Sequence, residues 1–103
     1  MEVELSIVIL NYNTKQLTID AVNSIEKNYQ HEVKSGQFEV IVADNASPDG
    51  SIGSFKEYSK KTKINLFKIV DNKKNIGFAA GNNKAVKDSK GRYVLFLNPD
   101  TIV

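Results

Sequence analysis

The chain has no cysteine and no tryptophan, and only one histidine, one methionine and two prolines in 103 residues. Without cysteine there is neither a disulfide framework nor a thiolate metal site, so stability must come from packing. An excess of one charge is also lacking. Fourteen basic and twelve acidic residues leave a formal charge of +2, too balanced to hold nucleic acid or a membrane surface by electrostatics. No apolar run approaches the ~18 residues of a spanning helix, and the opening Met1-Glu2-Val3-Glu4 lacks the basic start of a signal peptide. These absences predict one soluble domain without a membrane segment in this stretch. The expected location is the cytoplasm, or the cytoplasmic face of a membrane if the full-length protein is larger. His31 has no second histidine near it and reads as a surface residue; Lys60, Lys61 and Lys63 read as a solvated helix end.

What is present alternates between two periods. Residues 5–10 are β-branched and nearly all apolar, as in a strand inside a parallel sheet, and they stop at Asn11-Tyr12-Asn13. Asn13 and Gln16 predict a capping box. The helix it opens carries Leu17, Ala21, Val22, Ile25 and Tyr29 on its apolar face. Residues 31–37 predict a polar loop. Residues 38–43 predict a second strand, stopping at Asp44 and followed by the turn formers Asn45-Ala46-Ser47-Pro48-Asp49-Gly50. Ile52, Phe55 and Tyr58 then recur at helical spacing, with Asp49 or Ser51 as the cap. Residues 64–70 predict a third strand that leaves the sheet at Asp71-Asn72. The helix starting at Phe78 contains Gly81, which costs roughly 1 kcal/mol against alanine and so marks close approach to the sheet or a ligand. Gly91 is expected to close that helix. Residues 93–97 predict a strand buried on both faces and ended by Asn98-Pro99-Asp100, because Pro99 has no N–H for a ladder.

The order βαβαβαβ predicts a Rossmann-like three-layer α/β/α fold with a mostly parallel sheet of about four strands and right-handed crossovers. Ligands of such sheets bind beyond the carboxyl ends of the strands. Asn11-Tyr12, Asp44-Asn45, Asp71-Asn72 and Asn98-Pro99-Asp100 all fall at those ends. A dinucleotide fingerprint and a P-loop are both absent, since the first turn, Asn11-Tyr12-Asn13-Thr14, has no glycine and no G-K-[S/T] occurs. What remains is a nucleotide held by side chains. Tyr12 can offer an aromatic face, Asp44 can accept from a base N–H, and Asp100 can hold a metal on a diphosphate. Tyr12 can equally be a packing residue, and Asp44 a cap.

Four strings occur in order along the whole chain, at residues 7–13, 40–51, 75–83 and 96–101. Together they resemble glycosyltransferase family 2. That resemblance implies a GT-A fold, of which these residues form the N-terminal half, and an inverting transfer of a sugar from a nucleotide diphosphate donor, a UDP- or dTDP-sugar, to an acceptor hydroxyl. It implies that Asn11 and Tyr12 line the base pocket, that Asp44 bonds the base, and that Lys74, Asn75 and Gly77 border the same pocket. Asn98-Pro99-Asp100 stands where the family has its Asp-x-Asp motif, so Asp100 would ligate Mg²⁺ or Mn²⁺ and Asn98 would face the ribose. The first aspartate of that motif is Asn98 here, which removes one negative charge beside the metal. The Asn-Pro-Asp form is similar to members that transfer rhamnose or galactofuranose.

The family's catalytic base lies well beyond the metal motif, and this sequence carries no candidate for it. The expectation is therefore the donor-binding half of a longer enzyme of polysaccharide or glycoconjugate synthesis, truncated at its C-terminus and inactive alone. A carbohydrate or lipid-linked acceptor would bind through the missing half. An uncovered sheet face or edge, with self-association of this piece, is expected too. Two other classes stay open. One is a non-catalytic nucleotide-binding or regulatory module of the same fold. The other is a metal-dependent nucleotidyltransferase, against which the glycine-free first turn weighs.

Overall fold

A computed structural model of the chain describes residues 2–103. The elements follow the order β1 (Leu5–Asn11), α1 (Lys15–Asn28), α2 (Gln30–Ser35), β2 (Phe38–Asp44), α3 (Ser51–Lys61), β3 (Leu66–Asp71), α4 (Phe78–Val86) and β4 (Tyr93–Phe96). All four strands are parallel, in the spatial order β3-β2-β1-β4. The chain steps outward from β1 to β3, then returns to the other side of β1. Strand order thus reverses between β1 and β4, the point at which parallel sheets open a crevice at their carboxyl ends.

β1 and β2 run through the middle of the molecule because their side chains are apolar on both faces. One face of the sheet, made by Ile7, Ile9, Val40 and Val42, packs against Ala21, Val22 and Ile25 of α1, Val33 of α2 and Phe55 of α3. On the other face Val8, Ile41 and Ala43 meet Ala85 of α4. Helices on both sides make the three-layer α/β/α arrangement that the alternating pattern predicts. The β1–β2 register, from Leu5 opposite Phe38 to Asn11 opposite Asp44, brings the ends of both strands level. Gly81 sits against the sheet, since a Cβ there would lie 2.8 Å from Leu10 Cδ1 and 3.1 Å from Asn45 Nδ2.

Several local expectations need correction. Residues 30–35 form α2, not a loop; Val33 anchors this short helix in the core, and His31 is exposed as expected. The buried stripe of α1 is Thr18, Ala21, Val22 and Ile25, while Leu17 and Tyr29 are exposed. There is no capping box. Asn13 has φ +54°, Gln16 bonds Asp20, and the Lys15 N–H at the start of α1 donates to Asp49 Oδ2 at 3.1 Å. Asp49 Oδ1 accepts from the Ser51 N–H at 3.1 Å, so one carboxylate serves the N-termini of α1 and α3. Burial works to raise its pKa, yet the bonds from Ser51 and Lys15 hold it below the ordinary value.

β4 is the largest departure. It pairs with β1 but lies at the sheet edge, and Tyr93, Val94, Leu95 and Phe96 are all exposed instead of buried on both faces. An uncovered edge and apolar patch of this kind were expected on other grounds. Gly91 does not cap α4, which ends at Val86; it lets the chain pass close to β1. A Cβ at Gly91 would stand 2.4 Å from Ser6 N and 2.8 Å from Leu5 C, both backbone atoms that cannot rotate away. Gly91→Ala is expected to cost about 1–3 kcal/mol by overpacking. In urea this appears as a lower midpoint with an unchanged slope.

Among the described residues, no helix is long and apolar enough to cross a membrane.

Candidate functional site

The polar ends of β1 and β2 are built as one cluster. Asn11 and Asp44 face each other across the strand pair, and both are buried, at 0% and 1% exposure. Asn11 Nδ2 donates to Asp44 Oδ1 at 2.7 Å and to Ser47 Oγ at 3.0 Å. Its Oδ1 accepts from Thr14 Oγ1 at 2.8 Å and Thr18 Oγ1 at 2.7 Å. Those four bonds use the whole capacity of the amide. Ser47 completes the cluster: its hydroxyl donates to Asp44 Oδ1 at 2.5 Å, accepts from the Asn13 N–H at 2.8 Å, and its own N–H donates to Asp44 Oδ2 at 3.0 Å. Asp44 Oδ1 is thereby doubly used, while Oδ2 accepts one bond and keeps capacity for another.

A second group of amides links the ends of β2 and β3 to the start of α4. Asn72 Nδ2 donates to Asn45 Oδ1 at 2.7 Å, and Asn45 Nδ2 donates to the Gly77 carbonyl at 3.1 Å. The Asn75 side chain accepts from the Gly77 N–H at 3.0 Å. Gly77 holds φ +86°, a conformation that favours glycine over any residue with a Cβ, and so turns the loop into α4. Asn13, Ala46 and Lys73, the other residues with positive φ that are not glycine, also lie on the loops at this edge. Such conformations persist where the surroundings over-determine them and they collect at binding sites.

Thr14 from the first network and Asn45 and Asn75 from the second line an open cleft of about 310 Å³, together with Leu10, Tyr12, Phe78 and Pro99. It lies at the β1–β4 reversal. Its volume is at the lower end of the ~300–1,000 Å³ typical of small-molecule sites. Two aromatic rings stand at its rim, Tyr12 at 48% exposure and Phe78 at 69%. Hydrophobic walls with a few fixed polar groups suit a flat, partly polar ligand that can stack.

The sequence-predicted residues take different places around this cleft. Tyr12 and Asn75 line it, and Gly77 bonds to its floor through Asn45. Asn11 and Asp44 are buried and do not line it. Lys74 is exposed on the loop before Asn75, and Asn98 and Asp100 are exposed on the turn whose middle residue, Pro99, reaches the cleft. That turn is closed by the Thr101 N–H donating to the Asn98 carbonyl at 3.0 Å. Sequence reasoning placed Asn45 and Asn72 at the strand ends without giving either a role, and it did not single out Ser47. Ser47 had a readable signal, because a serine three residues after an aspartate at a strand end can close a turn on that carboxylate.

Among the described residues no group of three or more His, Cys, Asp or Glu side chains gathers as a metal site. Asp100 is the one acidic side chain on the turn, with Asn98 two residues before it. A lone carboxylate does not hold Mg²⁺ or Mn²⁺ by itself, but it fits an ion whose other ligands are phosphate oxygens and water.

Comparison with known proteins agrees with this geometry. The profile described as Glycosyl transferase family 2 matches residues 6–103. A putative teichuronic acid biosynthesis glycosyltransferase, TuaG of Bacillus subtilis, is 30% identical over 96 residues, 92% of this chain and 35% of its own length. The poly(ribitol-phosphate) beta-N-acetylglucosaminyltransferase TarS of Staphylococcus aureus is 26% identical over 98 residues, 95% of this chain and 16% of its own. The structure of TarS residues 1–349 in complex with UDP superposes with a TM-score of 0.78 at 30% identity, over 94% of this chain and 27% of that one. The mannosyltransferase PcManGT of Pyrobaculum calidifontis, in complex with GDP-Man and Mn²⁺, gives 0.83 at 21% identity, over 97% of this chain and 28% of that one. The fold is that of the GT-A glycosyltransferases. The chain spans about a third or less of the length of each of these relatives.

Proposed function

This chain belongs to glycosyl transferase family 2, and from that premise we propose that it is the donor-binding part of an inverting glycosyltransferase that uses a UDP- or dTDP-sugar. The observation that carries the reading is the cleft at the β1–β4 reversal. It joins an exposed tyrosine, a rigid amide floor and the Asn98-Pro99-Asp100 turn. The neighbouring structures with UDP and with GDP-Man and Mn²⁺ support the same ligand class.

In this reading the base stacks at Tyr12 beside Asn75. Asp44, held by Asn11 and Ser47, keeps unused capacity at Oδ2 for a base N–H, which reaches it once the loop over this 1%-exposed carboxylate gives way. Asn11 acts through Asp44 and Ser47, because its own amide is fully engaged. Gly77 and Asn45 fix the wall from which Asn75 projects, and Lys74 lies beside it as a cation for the phosphates. Asn98 faces the ribose. Asp100 would hold a divalent ion on the diphosphate, where such an ion neutralises the charge of the leaving group. With one carboxylate on the turn, metal affinity depends on the nucleotide being present. The same reading takes a carbohydrate or lipid-linked acceptor whose hydroxyl is deprotonated by a base outside residues 1–103.

Calorimetric titration with UDP and with dTDP, with and without Mn²⁺, tests this. Binding is expected to tighten with Mn²⁺, and Asp100→Ala is expected to remove that gain while leaving metal-free binding nearly intact. A gain from Mn²⁺ that survives in Asp100→Ala would remove Asp100 from the metal role. Donor hydrolysis or transfer by the full-length protein distinguishes an enzyme from a binding module, which gives neither.

A further inference from the structure

Glu39 is a charged residue at the start of the most buried strand, at the end of the sheet opposite the cleft. Its side chain is fully buried on the face that α4 covers, and Ser6 is its neighbour on β1. Oε1 accepts from Ser6 Oγ at 2.6 Å and from the Lys90 N–H at 2.8 Å. Oε2 lies 2.9 Å from the Lys68 ammonium of β3. Lys68 also donates to the Asp88 carbonyl at 2.9 Å, and Ser6 Oγ accepts from the Gly91 N–H at 2.8 Å. Through one carboxylate, β1, β2 and β3 all grip residues 88–91, the segment that leads into β4.

β4 has little else to hold its first residues. Its four side chains are exposed, and it is paired on one side only. The ladder begins directly after Gly91, where Arg92 donates to the Val3 carbonyl at 3.0 Å and Tyr93 to the Glu4 carbonyl at 2.9 Å. It ends where Leu97 donates to the Val8 carbonyl at 2.9 Å, immediately before Asn98-Pro99-Asp100. A strand without buried side chains keeps its register through its backbone bonds and its anchor points.

We propose that Glu39 is a positioning residue that, with Ser6, latches residues 88–91 to the sheet and so sets the register of β4 and the placement of the Asp100 turn at its far end. For its consequence at Asp100 this rests on the nucleotide-sugar reading above; the latch itself does not. Glu39→Gln keeps an oxygen for Lys90 but removes the charge facing Lys68. Ser6→Ala leaves Glu39 in place and releases Gly91. Hydrogen exchange measured by NMR on the folded 103-residue chain reads the latch without any ligand.

Both variants are expected to lower protection at the Tyr93 and Leu97 amides at least tenfold more than at Val40 and Val42 in β2. The Asn98 to Thr101 resonances are expected to shift although no substituted residue lies near them. In a parallel titration, the Mn²⁺-dependent gain in UDP affinity should fall severalfold, with metal-free binding unchanged. Equal loss of protection in β2 and β4, or an unperturbed 98–101 turn, would overturn the latch and leave Glu39 as an ordinary core residue. Should the parent chain bind no nucleotide, the functional reading fails by itself, and the exchange data still decide the latch.

Discussion

Replacing Glu39 with alanine is expected to destabilise the fold by about 3–5 kcal/mol, the range for removing one partner of a buried pair. The variant loses the acceptor of Ser6 Oγ and of the Lys90 N–H, and the Lys68 ammonium loses its counter-ion. A cavity the size of the missing side chain adds to the cost. The same carboxylate makes stability depend on pH. Burial works to raise its pKa, but the hydrogen bonds from Ser6 and Lys90, with Lys68 beside it, hold it below the ordinary value. A native pKa lowered in this way contributes stability that is fully present above the unfolded carboxyl's ordinary value and is lost as pH falls through the native one. Urea midpoints for the parent chain should therefore decline in the acid range, and those of Glu39→Ala should decline less. Parallel acid profiles in the two proteins would remove Glu39 from this role.

Asp44→Ala should damage stability and binding together. Its carboxylate accepts from Asn11 Nδ2, Ser47 Oγ and the Ser47 N–H in a site that is 1% exposed. Without it the Ser47 N–H and one hydrogen of the Asn11 Nδ2 are left without an acceptor, and each such buried group costs about 1–3 kcal/mol. A total loss of about 2–4 kcal/mol follows, because the released Asn11 amide keeps its bond to Ser47 Oγ. UDP affinity should also fall by tenfold or more under conditions where the variant is still folded. A second effect of that size separates Asp44 from Thr18. Thr18 bonds the same Asn11 from inside α1, and Thr18→Val is expected to lower stability with little change in affinity.

The sequence made the central strands legible because β1 and β2 are apolar on both faces, a pattern that only a covered parallel sheet explains. It also placed the polar ends at one edge, since each strand stops at an Asn or Asp. α2 was not legible. Six residues with one buried side chain, Val33, are too few to display a helical period. The α1 stripe was legible at Ala21, Val22 and Ile25 but not at its start, because Thr18, polar by composition, is buried through its bond to Asn11, whereas Leu17 faces solvent. β4 misled for a different reason. An apolar run shows only that burial would be favourable, and it does not say that a cover lies within these residues. Glu39 was overlooked although its signal was present: a lone charge in an apolar strand, with the only polar residue of residues 5–10, Ser6, opposite it.

The amide floor shows how the site and the fold depend on each other. Asn45 bonds Asn72, Gly77 and, at 3.4 Å, Asn75, so one side chain ties together the loops after β2 and β3 and the start of α4. Gly81 permits this closeness, because any larger residue would press on Asn45 and Leu10. The cleft is thus preformed by backbone turns and buried amides, and Tyr12 and Phe78 are its exposed rim.

The most direct test of the nucleotide site is an NMR titration of the ¹⁵N-labelled chain with UDP and Mg²⁺, following every backbone amide. The expected shifts cluster at residues 12–14, 45–47, 74–78 and 98–101, with none beyond error around Asn23, Lys34 and Lys63, which line a separate hollow between α1 and α2. Shifts centred on that hollow, or a folded chain whose spectrum does not respond to millimolar UDP or dTDP, would contradict a donor site at the carboxyl ends of the strands.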